Sequence, residues 1–276
     1  MSVPLRAPPA LRSNEELLER IRSGGPALVA LSGGVDSGLV ASLAREALGN
    51  AAVAVTLTGS AVADREVLRA RELARAVGIE HLVVPADPLV SAEYRANGPD
   101  RCYHCRTVEA GALRTAAKAR GSAQLLDGIH QDDLSDDRPG IRAMDESGFF
   151  HPLLWAGWGK EAVRLEARAR GLPNWDRPSD ACLASRVARG EPITEEMLRR
   201  IDRAEGSLYR RGFGRVRVRV RSAEARIEVD PSEVARLCEP WLLAEVVEEL
   251  RALGFSSVRV DPHGYRGGGR ELPVVR

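Results

Sequence analysis

This sequence has few aromatic residues and no long apolar run, and its positive and negative charges nearly balance. No apolar run approaches the roughly 18 residues of a membrane-spanning helix, and residues 1–13 carry no apolar core of a secretory signal. A formal net charge of +1 provides no overall basic field, which disfavours a general nucleic-acid binder. We therefore predict a cytoplasmic protein that binds small molecules, with no membrane contact and no stable nucleic-acid partner.

Cysteine is also scarce, with four residues in the chain. In a reducing compartment disulfides are rare, so clustered cysteines favour metal ligands or reactive thiols. Cys102 and Cys105 form a Cys-x-x-Cys at the start of a predicted helix, and Cys182 lies far away in sequence. Cys238, in a helical stretch, is predicted to be a small buried hydrophobe without chemistry.

Strand-like and helix-like segments alternate through the first part of the chain. Apolar runs at residues 26–34, 51–59 and 79–87 are separated by helix-patterned segments, which predicts a parallel sheet covered by helices on both faces. Beyond about residue 191, residues 214–222 and 225–230 alternate polar and apolar side chains like paired antiparallel strands. We predict an α/β domain over residues 1–189 and a smaller α+β domain over residues 190–276.

A glycine-rich segment follows the first predicted strand and opens a helix. Glycines let the backbone approach phosphate oxygens, and the free amides and helix dipole offset their charge. The loop contains Ser32, Gly33, Gly34, Val35, Asp36 and Ser37. This SGGVDS sequence resembles the loop of PP-loop ATP pyrophosphatases, which have an adenine nucleotide alpha hydrolase-like fold. That resemblance implies ATP cleavage between the α and β phosphates, AMP transfer to a substrate oxygen, and Asp36 as a ligand of magnesium and pyrophosphate.

Three further segments resemble the LarE sulfurtransferases of nickel-pincer cofactor assembly. They are Asp127-Gly128 with Asp132-Asp133 and the stretch Asp136-Asp137-Arg138-Pro139-Gly140, then residues 151–186, and finally RVRVR, ARIEV and HGYRGG in the second domain. The likeness spans residues 14–269. It implies an ATP-dependent sulfurtransferase that adenylates a carboxylate of pyridinium-3,5-biscarboxylic acid mononucleotide and replaces an oxygen with sulfur, for the cofactor of lactate racemase.

The LarE resemblance also implies roles for individual residues. The catalytic positions are Cys182, Asp36 and Lys160, and Asp127 and Gly128 join the phosphate loop in binding ATP. The substrate-binding positions are Ser185, Arg186, Arg217, Arg219, Glu205 and Glu228. The family assembles as hexamers, so we expect a homo-oligomer; the sulfide donor stays unidentified.

The three cysteines Cys102, Cys105 and Cys182 match the LarE members that hold a 4Fe-4S cluster, rather than those that sacrifice one cysteine sulfur. Two other interpretations remain open for them. They form a zinc site together with His104, or Cys102 and Cys105 form a dithiol that reduces a persulfide on Cys182.

The polar candidates also have structural interpretations. The second-domain arginines alternate with valine. In a purely structural interpretation, they form the solvent-exposed face of a strand and do not bind substrate. An acidic loop is often simply solvated, and Lys160 is in that view a surface lysine at a helix start. At the level of function, the alternatives are a tRNA 2-thiolation enzyme, an amidotransferase-type synthetase, or a non-catalytic nucleotide- or metal-binding module.

Overall fold

The computed structural model describes residues 11–135, 139–178 and 180–266. The chain divides into two compact units, one of residues 1–94 and 100–180, the other of residues 95–99 and 181–276. The division therefore falls nine residues before the boundary expected at 189/190. Residues 181–189 join the second unit because Ala188 donates its amide to the Val220 carbonyl at 2.9 Å. Asn97 donates its side-chain amide to the carbonyls of Ala188 and Glu191, which holds residues 95–99 there.

The first unit has the predicted strand and helix alternation. Its elements are α1 (Asn14–Ser23), β1 (Ala27–Ala30), α2 (Val35–Leu48), β2 (Ala52–Thr58), α3 (Asp64–Val77), β3 (Glu80–Pro85), α4 (Ala92–Arg95), α5 (Arg101–Arg120), β4 (Gln124–Leu126), α6 (Pro139–Glu146), α7 (Pro152–Trp155) and α8 (Lys160–Ala169). The strands pair in the order β3-β2-β1-β4, and all are parallel. The predicted parallel α/β fold is confirmed.

The continuous apolar character of β1 follows from burial on both faces of the sheet. Ala27 and Val29 point into a core with Leu39 of α2 and Val163 of α8. Leu28, which has the opposite orientation, packs into a second core with residues of α5 and α6. Successive side chains of a strand point to opposite faces, so a strand covered on both sides has no polar position. The loops at its carboxyl end are left to carry the polar groups.

The second unit is a separate three-stranded sheet with helices. Its elements are α9 (Glu195–Arg210), β5 (Val216–Arg221), β6 (Glu224–Val229), α10 (Val234–Leu237), α11 (Pro240–Ala252) and β7 (Ser257–Val260). Strands β5 and β6 pair antiparallel as predicted, and β7 adds in parallel to β6. The prediction for Cys238 was wrong. It follows the single turn of α10 and is exposed, because the helical pattern breaks there before Pro240.

Candidate active site

The predicted phosphate loop lies between β1 and α2. The Ser32 amide donates to the Ser37 hydroxyl at 3.1 Å, and the two serine hydroxyls lie 3.0 Å apart, which holds the loop closed. Gly34 precedes the first turn of α2, and no described side chain caps the helix there. The first amides of α2 are therefore left to bind an anion.

A chain of hydrogen bonds on the neighbouring strands fixes the entry to this loop. Thr56 on β2 donates to the Leu31 carbonyl at 2.7 Å, and Nε2 of His81 on β3 lies 2.7 Å from the same hydroxyl. Because Thr56 has already used its proton, His81 donates from Nε2. Burial, followed by the charge of Arg71, lowers the pKa of His81, so its imidazole is neutral near pH 7.

Gly33 packs directly against α3. Its φ is +86°, and a Cβ there would lie 3.2 Å from the Ala70 amide nitrogen and 3.3 Å from the Glu66 carbonyl oxygen. Its own carbonyl accepts a hydrogen bond at 3.0 Å from the side chain of Asn174, which is 6% exposed. A cavity of about 420 Å³ opens beside these residues. Sequence reasoning passed over Asn174, although it lies inside the segment that resembles the LarE family.

Asp127 and Gly128 lie beside the phosphate loop, at the carboxyl end of β4. A Cβ on Gly128 would lie 2.7 Å from the Ser37 amide nitrogen and 3.0 Å from Asp36 Cβ. Such distances are too short for any side chain, so glycine is required for this close approach. The structure thus brings together the two segments that the sequence separately predicts to bind ATP.

Lys160 reaches the same loop from the start of α8. Its Nζ donates to both carboxylate oxygens of Asp36, at 2.6 and 2.7 Å. The Lys160 amide donates to Asp132 Oδ2 at 2.7 Å, so this carboxylate caps the start of the helix. Lys160 is therefore not a simple surface lysine, and Asp132 is not simply solvated.

His130 is a further residue of this loop cluster that sequence reasoning did not single out. Its Nε2 lies 3.8 Å from Asp36 Oδ1 and 3.5 Å from Asp133 Oδ2, and its amide donates to Asp133. The side chain is buried, and its Nδ1 has no partner among the described residues. Its position between Asp127-Gly128 and Asp132-Asp133 was the signal that could have found it.

Cys102 and Cys105 lie in the first turns of α5 and are half-buried. Residues three apart in a helix lie on one face, so both thiols can reach a common ligand. The Cys105 thiol donates to Glu109 at 3.4 Å, and Gly140 at the start of α6 lies against Cys102. The predicted Asp136, Asp137 and Arg138 lie outside the described residues.

Cys182 belongs to the second unit and is exposed. It precedes a single 3-10 turn, Leu183–Arg186, whose Ser185 hydroxyl donates back to the Cys182 carbonyl at 2.8 Å. Arg186 is fully buried: its Nε and Nη2 pair with Glu205 at 2.8 and 3.1 Å. Its Nη1 donates to the carbonyls of Ala181 and Cys182, at 2.6 and 3.1 Å. The contact of Arg186 with a substrate phosphate stays a prediction.

The strand arginines of the second unit have different environments. Arg219 pairs with Glu228 at 3.0 Å and donates to the Ser185 carbonyl at 3.2 Å. Arg217 is 3% exposed and its guanidinium carbon lies 5.3 Å from the centre of the Tyr265 ring. Arg221 is exposed, as a solvent face requires, whereas Arg217 is not. Within this unit, the fold brings the Cys182 turn together with Arg219, Glu228 and Glu205.

The described part of the chain has neither a clustered metal site nor a membrane-spanning helix. Residues 11–135, 139–178 and 180–266 contain no group of three or more histidine, cysteine, aspartate or glutamate side chains arranged to hold a metal ion. None of the helices in these ranges is long and apolar enough to cross a membrane.

The fold and the phosphate loop define the class of protein. A parallel sheet with the Ser-Gly-Gly-Val-Asp-Ser loop before α2 agrees with the PP-loop ATP pyrophosphatase class that the loop sequence resembles. A family profile described as asparagine synthase matches residues 15–104, which contain this loop. The chain is an ATP-using enzyme of this class.

Comparison with individual proteins is more specific. An uncharacterized protein of Synechocystis is 40% identical over 88% of this chain and 90% of its own length. The pyridinium-3,5-bisthiocarboxylic acid mononucleotide synthase of Lactiplantibacillus plantarum is 33% identical over 87% of each chain. A tRNA-specific 2-thiouridylase of Acidiphilium cryptum is 28% identical over 82% of this chain and 84% of its own. The chain belongs to the family of the L. plantarum synthase, the LarE family, and is an ATP-dependent sulfurtransferase.

The contact between Gly128 and the phosphate loop gives a direct prediction. Replacing Gly128 by alanine is expected to weaken ATP binding about 10-fold, because the new methyl group must push backbone atoms of the loop. Isothermal titration calorimetry with magnesium and ATP measures the effect. Gly111→Ala is the matched control, since nothing lies within 4 Å of its added Cβ on α5. Equal affinity of both variants would contradict this interpretation of the loop.

Proposed function

We propose that this enzyme adenylates a carboxylate of pyridinium-3,5-biscarboxylic acid mononucleotide and converts it to a thiocarboxylate for the nickel-pincer cofactor of lactate racemase. The observation that carries the proposal is the 33% identity to a synthase of the bisthiocarboxylic product over 87% of both chains. The phosphate loop and the Lys160–Asp36 pair supply the site for ATP. We further propose that it acts in the cytoplasm as a homohexamer.

The first step follows from the poor reactivity of a carboxylate, whose leaving group would be oxide. A substrate carboxylate oxygen attacks the α phosphorus of ATP, an oxygen–phosphorus bond forms, and the bond to pyrophosphate breaks. The amides of the phosphate loop, Ser32 and Ser37 hold the β and γ phosphates and offset the charge that develops on pyrophosphate. Lys160 adds a point charge at the same place.

Magnesium fits the chemistry of this loop. Mg²⁺ prefers oxygen ligands and is usually held by one or two carboxylates together with substrate phosphates. Asp36 offers a carboxylate that is 25% exposed and adjoins the loop amides. In this proposal Asp36 holds the ion, which supplies charge neutralisation for the departing pyrophosphate when bound. Lys160 then turns from Asp36 to the phosphates.

The second step replaces AMP by sulfur. Sulfide adds to the activated carbonyl carbon, a carbon–sulfur bond forms, and the bond to the AMP oxygen breaks with its electron pair. We propose that the sulfur is delivered to the substrate beside Cys182. Ser185 and Arg186 would lie next to the substrate phosphate, with Arg217, Arg219, Glu205 and Glu228 completing the binding site. Guanidinium groups suit both the phosphate and the carboxylates of this substrate.

Three thiols suggest how sulfur is replenished. We propose that Cys102, Cys105 and Cys182 hold a 4Fe-4S cluster. The donor set fits in its chemistry: no disulfide joins the cysteines of the described chain, and Cys102 and Cys105 share one face of α5. When bound, a cluster with three protein thiolates offers one iron for an additional sulfide. The protein residues orient the substrate, and Cys182 keeps its own sulfur.

One set of measurements tests this function. Wild type, purified without oxygen, is expected to release pyrophosphate from ATP only with the pyridinium mononucleotide, and to contain about four irons per chain. Its intact mass should be unchanged after turnover. Cys182→Ser should retain pyrophosphate release and lose thiocarboxylate formation. Absent iron with loss of one sulfur from Cys182 would establish sacrifice of that thiol, and bound zinc would favour the zinc alternative.

A second candidate function is tRNA 2-thiolation, which is favoured by the 28% identity to a tRNA-specific 2-thiouridylase. The two functions differ in their acceptor. Unmodified tRNA in place of the pyridinium mononucleotide should give no pyrophosphate release if our proposal holds. Release with tRNA and none with the pyridinium compound would replace the proposal by this alternative.

A further inference from the structure

A buried histidine in the first unit lies between two carboxylates, and the fold explains why. Phe150 forms an isolated parallel bridge with Leu126 at the end of β4, and its amide donates to the Leu125 carbonyl at 2.8 Å. The next residues of the two segments, Asp127 and His151, are therefore side by side.

The two ring nitrogens of His151 have separate partners. Nδ1 lies 2.6 Å from Asp127 Oδ1, and Nε2 lies 2.9 Å from Asp145 Oδ1 on α6. Both carboxylates accept hydrogen bonds, so only the doubly protonated imidazolium can donate to both. His151 and Asp127 are each more than nine-tenths buried, whereas Asp145 is exposed.

Asp127 has a particular need for this partner. Its Oδ1 also accepts from the Ile129 amide at 3.1 Å, but its Oδ2 is buried and has no partner among the described residues. A buried carboxylate with an unsatisfied oxygen is costly unless a nearby cation offsets its charge. Gly128 follows it directly and lies against the phosphate loop.

We propose that His151 is a positioning residue for ATP: as an imidazolium it neutralises Asp127 and thereby holds Gly128 against the phosphate loop. It touches no phosphate itself and acts through the Asp127–Gly128 segment. This inference rests on the ATP use of the proposed function, but it does not depend on the acceptor.

The role predicts a pH dependence. Burial alone would lower the pKa of His151, but the hydrogen bonds and charges of Asp127 and Asp145 outweigh it, and the net pKa is raised. A raised pKa means that the stabilisation is complete below the ordinary value of 6.5 and is lost as pH rises through the raised value. The charged groups facing the pair are Asp127 after β4, Asp145 on α6 and Arg106 of α5, which interacts electrostatically with Asp127. Above that pH, His151 no longer offsets the negative charge of Asp127 beside the phosphates.

Variants with graded changes test the proposal by calorimetric titration of ATP and magnesium between pH 6 and pH 9. Wild-type affinity is expected to fall about 10-fold across this range. Asp145→Asn keeps the shape of an exposed side chain but removes one charge, so the fall should occur about one pH unit lower. His151→Asn retains a donor towards Asp127 without a titrating group, so its profile should lack the fall that depends on His151. His151→Gln places its donor away from Asp127 and should bind ATP about 10-fold more weakly at pH 6.

Glu146→Gln is the control, because Glu146 is the neighbouring carboxylate on α6 and bonds to Tyr103 instead. It should reproduce the wild-type profile, and titration of the nucleotide itself is common to all variants. A wild-type slope in His151→Asn, or equal shifts in Asp145→Asn and Glu146→Gln, would overturn the proposal. The calorimetric titrations contain no acceptor. If the proposed acceptor is wrong, the pyrophosphate assay will therefore fail, but the pH dependence of ATP binding will be unchanged.

Discussion

Replacement of Lys160 by methionine is expected to slow ATP-dependent pyrophosphate release about 100-fold. The Lys160 ammonium group contacts both oxygens of Asp36 beside the phosphate loop, where negative charge develops as pyrophosphate leaves. Methionine keeps most of the length and apolar stem of the side chain and removes the charge. A coupled assay of pyrophosphate with saturating ATP and the pyridinium substrate measures kcat, and the KM for ATP is expected to rise as well.

Lys118→Met is the matched control, because this chain has two lysines and Lys118 is exposed on α5. It should have wild-type kinetics. Asp36→Asn should be at least as slow as Lys160→Met, and the double variant should be little slower than the worse single variant. Residues that act as a unit are strongly non-additive. Fully multiplicative losses would show that Lys160 and Asp36 act independently and would refute their assignment to one phosphate site.

The rarity of lysine in this chain adds support for a specific role of Lys160. Of the 40 basic residues in the chain, two are lysines and the remaining 38 are arginines. An arginine presents a planar fork, whereas a lysine presents a compact point charge on a flexible stem. The compact ammonium group of Lys160 suits the proposed role, in which it contacts Asp36 before ATP binds and the phosphates afterwards.

Much of the first unit could be predicted from the sequence because its signals are local. Apolar runs such as residues 27–30 alternate with helical patterns, and the glycine-serine loop follows the first run directly. Those patterns depend only on spacing along the chain. The boundary near residue 181 depends instead on hydrogen bonds between distant segments, such as Ala188 with Val220, and no composition change marks it.

The predicted site residues are those to which the family resemblance gave an individual role. Asn174 and His151 lie inside the LarE-like segment and His130 lies beside another, but their contacts are with residues 24 to 141 positions away or with neighbouring carboxylates, which the segment alone does not show. A lone buried histidine has no sequence signature, since its meaning depends on which charges the fold places beside it. The alternation of arginine and valine in β5 was similarly ambiguous. Arg217 and Arg221 occupy equivalent positions in this alternation, yet Arg217 is buried and Arg221 is exposed.

Loss of Glu205 is expected to have the largest effect on stability. Arg186 and Glu205 have fully buried side chains, and Glu205 also accepts a hydrogen bond from the Val218 amide at 3.1 Å. Glu205→Ala leaves a guanidinium buried without its carboxylate, which costs about 3–5 kcal/mol in free energy of unfolding. Urea unfolding, monitored by hydrogen exchange in peptides from the second unit, measures the stability of this unit separately from that of the first.

The control lies on the same helix. Glu195 pairs with Arg199 at the exposed start of α9, and both side chains are more than half exposed. Glu195→Ala should therefore cost less than about 1 kcal/mol. A similar cost for both variants would mean that the buried pair contributes no more than a surface pair.

A double variant separates the stability of this pair from its function. Replacing Arg186 by methionine and Glu205 by leucine substitutes a buried ion pair with apolar side chains of similar size, which should recover most of the lost stability. Sulfur transfer should nevertheless stay at least about 10-fold below wild type, because the carbonyls of Ala181 and Cys182 lose the donor that holds the Cys182 turn. Pyrophosphate release, which depends on the phosphate loop, should be much less affected. Full recovery of sulfur transfer in the stabilised double variant would show that the ion pair serves the fold alone.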